Sequence, residues 1–178
     1  KKEKILNQAQ KFIQKGSLDK AILEYKAVCE LDPTDIPTRL RLGDLYVKVG
    51  NKDDAIVEYT EGAKVYTQKG FYLKAIAVYK QILKLDESSI DVHNKLADLY
   101  TKQRLIVDAI SEYSYIANVF EKKGKAAEAF ELFKKMSGLD PENLGVKLKL
   151  ADMYLKLGYE KDALDEYGWI LDKLVSQG

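Results

Sequence analysis

The chain matches itself when it is shifted by about 54 residues, and this internal repeat constrains its fold more than any single residue does. Three segments read LRLGDLYVKVG, NKLADLYTKQR and LKLADMYLKLG, and they lie around Leu42, Leu96 and Leu150. Repeats of a few tens of residues are typical of elongated stacks in which each unit buries its apolar face against the next. The same spacing relates small and aromatic residues on both sides, namely Ala21, Ala75 and Ala129, Tyr25, Tyr79 and Phe133, and Gly16, Gly70 and Gly124.

Composition excludes several classes of protein. With 46% hydrophobic and 32% charged residues among 178, the chain has the composition of an ordered globular protein and not of a disordered one. Its 29 basic and 28 acidic residues give a formal net charge of +1, so no overall field attracts nucleic acid or an anionic membrane. We therefore expect no nucleic-acid partner.

Membrane and secretion signals are missing from the sequence given. No run approaches the roughly 20 apolar residues that a membrane span needs, and residues 1–6 do not read as a signal peptide. The single cysteine, Cys29, falls in a helical pattern where a buried thiol is expected. We expect a cytoplasmic protein without membrane insertion.

Apolar residues follow helical spacing along nearly the whole chain. The first helix is predicted to end at Gly16 and the second after Leu31. A short third helix runs from about Thr38 to the stop at Gly50. A longer fourth helix runs from Asn51 or Asp53 to about Gln68 and is ended by Gly70. The next spans about Tyr72 to Leu85, and its successor is capped by Ser88 or Ser89. Later helices are predicted to end near Gln103, Lys123, Ser137, Leu157 and Ser176.

This pattern predicts about ten helices, joined by turns so short that neighbours lie antiparallel. No run alternates with the period of two that a half-buried strand shows, so essentially no sheet is expected.

The repeated residues resemble the tetratricopeptide repeat family. The first helix of that family carries Leu-Gly or Leu-Ala with an aromatic residue, and the second helix carries Ala with an aromatic residue. This chain has the same residues at Leu42-Gly43 and Tyr46, followed by Ala55 and Tyr59. The pattern recurs at Ala9, Phe12, Ala21, Tyr25 and Pro33, at Leu96-Ala97, Tyr100, Ala109 and Tyr113, and at Leu150-Ala151, Tyr154, Ala163 and Tyr167. The resemblance implies an all-α solenoid, a right-handed superhelix of antiparallel helix pairs that binds proteins on its concave surface.

The spacing departs from the family in one respect. An ordinary repeat is about 34 residues long, and Ala55 and Ala75 lie much closer together in the sequence than that. The helix between them is therefore predicted to serve as the second helix of one pair and, through Ala63 and Tyr66, as the first helix of the next. Ala117 and Phe120 repeat this sharing. The repeating unit is thus expected to contain three helices, and which helices line the concave side stays open at this point.

We expect one array over residues 1–178, made of a partial unit 1–34, units 35–88 and 89–142, and a partial unit 143–178. Because it starts without Met and partway through a unit, we interpret it as a fragment of a longer array. Ends with unburied apolar residues, Trp169 among them, would allow a homo-oligomer.

The candidate partner-binding site is a set of charged residues on predicted first helices. Nine of them recur with i, i+3 and i+7 spacing, which places each set of three on one helical face, and the uncharged Asn94 lies beside Lys95. The alternative interpretation is a solvated surface whose charges pair only locally. We call these residues the charged face: Arg41, Asp44, Lys48, Asn94, Lys95, Asp98, Lys102, Lys149, Asp152 and Lys156.

Family members that grip a C-terminal carboxylate place Asn where this chain has Asp44, Asp98 and Asp152. An acid at that position repels a partner's carboxylate, so this specificity is not expected here. An acidic or mixed-charge partner segment fits the interleaved charges better.

Residues for catalysis are sparse. His93 is the only histidine and is expected to be partly buried and structural, and no phosphate loop, zinc-type cysteine pairing or calcium loop is present. We therefore expect no enzyme activity, no cofactor and no metal. The chain is predicted to be a scaffold or adaptor for a protein or peptide. The alternatives are a regulatory or substrate-recruiting arm of a larger enzyme or multiprotein machine and, third, a helical RNA reader.

Overall fold

The computed structural model describes residues 2–177, and within this range it contains ten α-helices and no β-strand. Successive helices are separated by only a few residues, as the sequence predicts. In chain order they are α1 Lys2–Gln14, α2 Leu18–Leu31, α3 Ile36–Lys48, α4 Lys52–Gln68, α5 Tyr72–Leu85, α6 Ile90–Lys102, α7 Ile106–Lys122, α8 Ala126–Leu139, α9 Leu144–Lys156 and α10 Glu160–Gln177.

The chain divides into two compact units, one ending at Val92 and the other beginning at His93. In the first unit, α1 packs against α2, α2 against α3, α3 against α4 and α4 against α5. In the second, α7 to α10 do the same, and α6 is joined to α7 by side-chain hydrogen bonds.

Small residues bring neighbouring helices close together, and aromatic residues fill the space between them. In the first unit Ala9, Ala21, Ala55, Ala63 and Ala75 are fully buried. A methyl group on Gly43 would lie 2.7 Å from the ring of Tyr59, so α3 and α4 are in direct contact there. Fully or almost fully buried side chains of the second unit include Leu96, Ala97, Tyr113, Ile116, Ala117, Ala129, Met136, Ala151 and Met153.

The longer helix α4 packs against both α3 and α5. Ala55 and Tyr59 in its first half are buried, and so is Ala63 in its second half. The edge of the Tyr66 ring meets Phe71, which immediately precedes α5, with 6.3 Å between ring centroids. Helix α4 therefore contacts the helices on both sides of it, and the three-helix repeating unit stays a prediction.

One helix start differs from the sequence predictions, and the start of α4 agrees with one of the two that were predicted. Helix α3 begins at Ile36, two residues before Thr38, because Pro37 is tolerated in a first turn and the Asp35 side chain accepts the Thr38 N–H at 3.3 Å. Helix α4 is capped by Asn51, whose side chain accepts the Asp54 N–H.

Helix α6 begins at Ile90, directly after Ser89, which is one of the two predicted starts, and Ser88 has a different role. Its N–H and its hydroxyl both donate to Asp86, the residue that follows α5, so it closes that turn. Helix α8 also runs two residues beyond Ser137, to Leu139.

Candidate functional site

The ten residues of the charged face all reach the surface, on α3, α6 and α9. Asp44, Arg41 and Asp152 are partly exposed, and the other seven are exposed. The structure places Arg41, Asp44 and Lys48 in the first unit and the remaining seven in the second. The i, i+3, i+7 pattern thus correctly predicted that these side chains reach the surface, and their binding of a partner stays a prediction.

A tyrosine on the following helix holds each aspartate of this face. The hydroxyl of Tyr59 donates to Asp44 at 2.8 Å, that of Tyr113 to Asp98 at 2.7 Å, and that of Tyr167 to Asp152 at 2.6 Å. Sequence reasoning assigned these tyrosines to packing alone, although their constant distance of 15 residues from an aspartate was a usable signal.

The tyrosines remain neutral donors. Burial, followed by the hydrogen bond to Asp44, raises the pKa of Tyr59 far above its usual value. Burial is also the main cause that raises the pKa of Tyr113, whereas for Tyr167 the bond to Asp152 comes first. Each hydroxyl therefore fixes one carboxylate oxygen while the carboxylates of Asp44 and Asp98 stay 45% and 57% exposed.

The basic residues around the aspartates are arranged differently in the two units. Arg41 lies 4.0 Å from Asp44 on the same helix, which is the outer limit of an ion pair. Asp98 is instead approached from α8 by Lys135, at 3.4 Å. Lys156 pairs with Glu121 at 3.6 Å. The face is thus not a uniform repeat of the same contacts.

A second set of contacts, two ion pairs and one histidine–carboxylate hydrogen bond, was missed by sequence reasoning and links first helices to the helices that follow them. Arg39 contacts Glu58 at 2.7 Å, His93 contacts Glu112 at 2.5 Å, and Lys147 contacts Glu166 at 2.9 Å. These side chains are largely buried, with exposures of 10–19%. The pairs orient adjacent helices, because a buried charge without a partner is costly.

His93 belongs to this structural set. It is 8% exposed, and its ring also stacks on Tyr115 with 3.9 Å between centroids. The prediction of a partly buried structural histidine is therefore confirmed.

Cys29 is buried, as predicted, and burial raises the pKa of its thiol to about 11. A thiol held protonated in this way is a poor nucleophile. Among residues 2–177 no group of three or more His, Cys, Asp or Glu side chains is arranged to hold a metal ion. No helix in this range is both long and apolar enough to cross a membrane.

Open grooves mark the surface of the first unit. One, of about 470 Å³, runs between α1 and α3 and includes Arg41 of the charged face. Another, of about 370 Å³, lies where α3, α4 and α5 meet and is lined by Val47, Tyr59, Gln81, Lys84 and Leu85. The walls of the groove between α1 and α3 are Leu6, Asn7, Gln10, Tyr25, Pro37, Thr38 and Arg41.

Comparison with known proteins finds relatives of low sequence identity. The chain is 24% identical over 172 residues to DnaJ homolog subfamily C member 3 of Rattus norvegicus, covering 89% of this chain and 34% of that protein. It is 27% identical over 152 residues to Tetratricopeptide repeat protein 37 of Xenopus laevis, and this match covers 84% of this chain and 9% of that protein. The chain thus spans about a third or less of the length of these curated relatives.

Among solved structures, MamA residues 41 to the end from Desulfovibrio magneticus RS-1 aligns with 15% identity and a TM-score of 0.38, over 99% of this chain and 96% of that one. The sequence profile described as TPR repeat matches residues 9–50 and 63–103, and the one described as Tetratricopeptide repeat matches residues 121–168. These matches cover most of the chain. They fall on the helices whose Ala and aromatic residues form the packing described above, and the chain belongs to the tetratricopeptide repeat family.

Proposed function

We propose that this chain is a non-catalytic scaffold that binds acidic or mixed-charge segments of a protein partner on the charged-face residues of each unit, those on α3 in the first unit and those on α6 and α9 in the second. The observation that carries the proposal is the repeated arrangement of a tyrosine-held aspartate beside exposed basic residues on α3, α6 and α9. Side chains that are already oriented lose less entropy on binding than free ones.

The groove between α1 and α3 supports the same function. Asn7 and Gln10 offer amide groups that can hydrogen-bond to a peptide backbone, while Arg41 offers a guanidinium that can bind a carboxylate through two parallel bonds. Leu6 and Tyr25 supply an apolar floor. Such a groove holds an extended segment without large rearrangement of the scaffold.

A direct test neutralises the basic side chains and leaves the aspartates in place. Changing Asp98 would also remove the hydrogen bond from Tyr113, so a loss of binding would be ambiguous. The neutral-face variant therefore combines Arg41→Gln, Lys95→Gln and Lys149→Gln, one change on each of α3, α6 and α9. Partners are captured from native lysate on immobilised protein and quantified by mass spectrometry.

The matched control removes three exposed lysines away from the charged face, with Lys52→Gln, Lys123→Gln and Lys161→Gln. We expect the neutral-face variant to lose its specific partners by roughly tenfold, and the control to keep them. If both variants capture the same partners in the same amounts, the charged face is only a solvated surface and the proposal is wrong.

A further inference from the structure

Residues around the groove where α3, α4 and α5 meet have counterparts in the second unit, in the same register of the internal repeat. Tyr59 and Gln81 of the first unit correspond to Tyr113 and Lys135 of the second, because the shift that carries Leu42 onto Leu96 also relates these two pairs. Asp44 corresponds in the same way to Asp98. The tyrosine-to-aspartate hydrogen bond is present in both units, at 2.8 and 2.7 Å.

In the second unit a lysine of the chain itself occupies this position. The ammonium of Lys135 lies 4.3 Å from the centre of the Tyr113 ring and 3.4 Å from Asp98 Oδ1. Ring and carboxylate therefore act together on one cation. Hydrogen bonds and charge from Tyr113 and Asp98 outweigh the burial of Lys135, and its pKa is raised.

In the first unit the corresponding residue is Gln81, which carries no charge. The ring of Tyr59 forms part of the wall of an open groove, and the Asp44 carboxylate is 45% exposed. Arg41 approaches that carboxylate only to the 4.0 Å limit of an ion pair. The first unit thus keeps the tyrosine and the aspartate that hold a lysine in the second, and lacks the lysine.

We propose that this groove, which we call the Tyr59 pocket, receives a lysine side chain of a protein partner, with its ammonium over the Tyr59 ring and against Asp44. The inference rests on the proposed function, since the lysine belongs to the bound partner. It adds a specific contact to that function, because a mixed-charge segment would place its basic residue here and its acidic residues on Arg41 and Lys48.

The shape and charge of the pocket suit a long side chain with a charged end. Val47 and Leu85 give apolar walls for the four methylene groups of lysine. Lys84 also lines the pocket and is an exposed residue, so water and salt screen its repulsion of an incoming ammonium. The counterpart of Lys84 in the second unit is Gly138, so this basic side chain is present only in the first unit of the two.

The test uses end-blocked tripeptides, Gly-Lys-Gly, Gly-norleucine-Gly and Gly-Glu-Gly, titrated into the full chain. Binding is followed by the amide NMR shifts of Val47, Gln81 and Leu85. We expect saturable shifts with the lysine peptide, and binding roughly fivefold weaker with norleucine, which has the same length of carbon chain and no charge.

The decisive variant is Gln81→Lys, which gives the first unit the residue that the second already has. Its own side chain is expected to cover Tyr59 and abolish binding of the lysine peptide, whereas Gln81→Met, an uncharged control, keeps it. Equal binding of lysine and norleucine, preference for the glutamate peptide, or full binding by Gln81→Lys would each overturn the proposal. Because the probe is a tripeptide, this result is independent of partner capture by the neutral-face variant.

Discussion

A tyrosine hydroxyl fixes the carboxylate of each aspartate on the charged face, so these acids have a structural partner as well as a surface role. The bonds of Tyr59, Tyr113 and Tyr167 are all between 2.6 and 2.8 Å. A hydrogen bond of this kind contributes about 0.5–1.5 kcal/mol to folding. Substitutions of Asp44, Asp98 or Asp152 are therefore expected to lower stability in addition to any effect on the proposed partner binding.

Asp35 is predicted to make the stability of the first unit depend on acid pH. Its carboxylate pairs with Lys2 at 2.7 Å and accepts hydrogen bonds from Thr38. Burial opposes the charged form, but the bonds from Lys2 and Thr38 outweigh it and lower the pKa of Asp35 below its usual value. A lowered pKa in the folded state stabilises the fold above the unfolded pKa, and this contribution is lost as pH falls through the folded value.

We expect Asp35→Asn to be less stable than the parent chain near neutral pH, and the difference to shrink as pH falls below about 4. Urea unfolding followed by circular dichroism across this range measures the effect. Asn keeps one oxygen that can cap α3, but its NH₂ replaces the oxygen that pairs with Lys2 and accepts from the Thr38 hydroxyl, so the charge and these two contacts are lost together. Asp53→Asn, in the exposed first turn of α4, serves as the comparison, and an identical pH profile for the two variants would contradict the role given to the Lys2 pair.

For individual residues, the sequence correctly predicted which side chains are exposed but did not predict which side chains contact each other. Helical periodicity was enough to place Arg41, Lys95 and Lys149 on the surface, because exposure depends on position within one helix. The pairing of Arg39 with Glu58 and of Tyr59 with Asp44 depends on the rotation of each helix about its own axis relative to its neighbour. The periodicity within a single helix does not determine this relative rotation. The recurrence of such pairs in each repeat is the signal that could have revealed them.

Arg104 stands where the corresponding turns have glycine. The equivalent residues in the turns after α3 and α9 are Gly50 and Gly158, with φ of 82° and 83°, and Arg104 has φ of 58°. The Arg104 N–H donates to the Thr101 carbonyl, so the turn closes the helix as Gly50 does after α3. A side chain in this left-handed region costs about 1–2 kcal/mol, which glycine avoids.

Replacement of Arg104 by glycine is expected to stabilise the second unit by about 1 kcal/mol, measured by urea unfolding. The mirror change, Gly50→Ala, is expected to destabilise the first unit by a similar amount. A methyl group at Gly50 meets no atom within 4 Å, so the backbone conformation alone is responsible. A destabilised Arg104→Gly variant would show that the arginine side chain makes a contribution larger than its backbone strain.

Among the helices, the sequence predicted existence and order reliably and boundaries less so. The glycine stops after α1, α3 and α4 are confirmed, because a left-handed residue after a helix is a strong local signal. The start of α3 was predicted two residues late, since Pro37 disfavours a helix interior but is compatible with its first turn. Ser88 had two possible partners, the next helix and Asp86, and local sequence did not distinguish them.

For the molecule as a whole, the internal repeat predicted the all-α fold because every unit must bury the same kind of apolar face. Helices α3, α6 and α9 begin at Ile36, Ile90 and Leu144, at equal intervals along the chain. Repeats related in this way still differ in their charged contacts, as Gln81 and Lys135 show. Differences between equivalent positions are therefore where a repeat protein gains specificity for its partner.

The near balance of charge over the whole chain bears on the RNA alternative. With 29 basic and 28 acidic residues, and with Asp44, Asp98 and Asp152 among the basic side chains of the charged face, phosphate binding would release few counterions. We expect a fluorescein-labelled random single-stranded RNA to show no anisotropy change below about 10 µM protein at physiological salt. A change that grows steeply at lower salt and disappears in the neutral-face variant would favour RNA over protein as the ligand of this surface. Capture of a protein partner that the same variant loses, without any RNA shift, would support the scaffold.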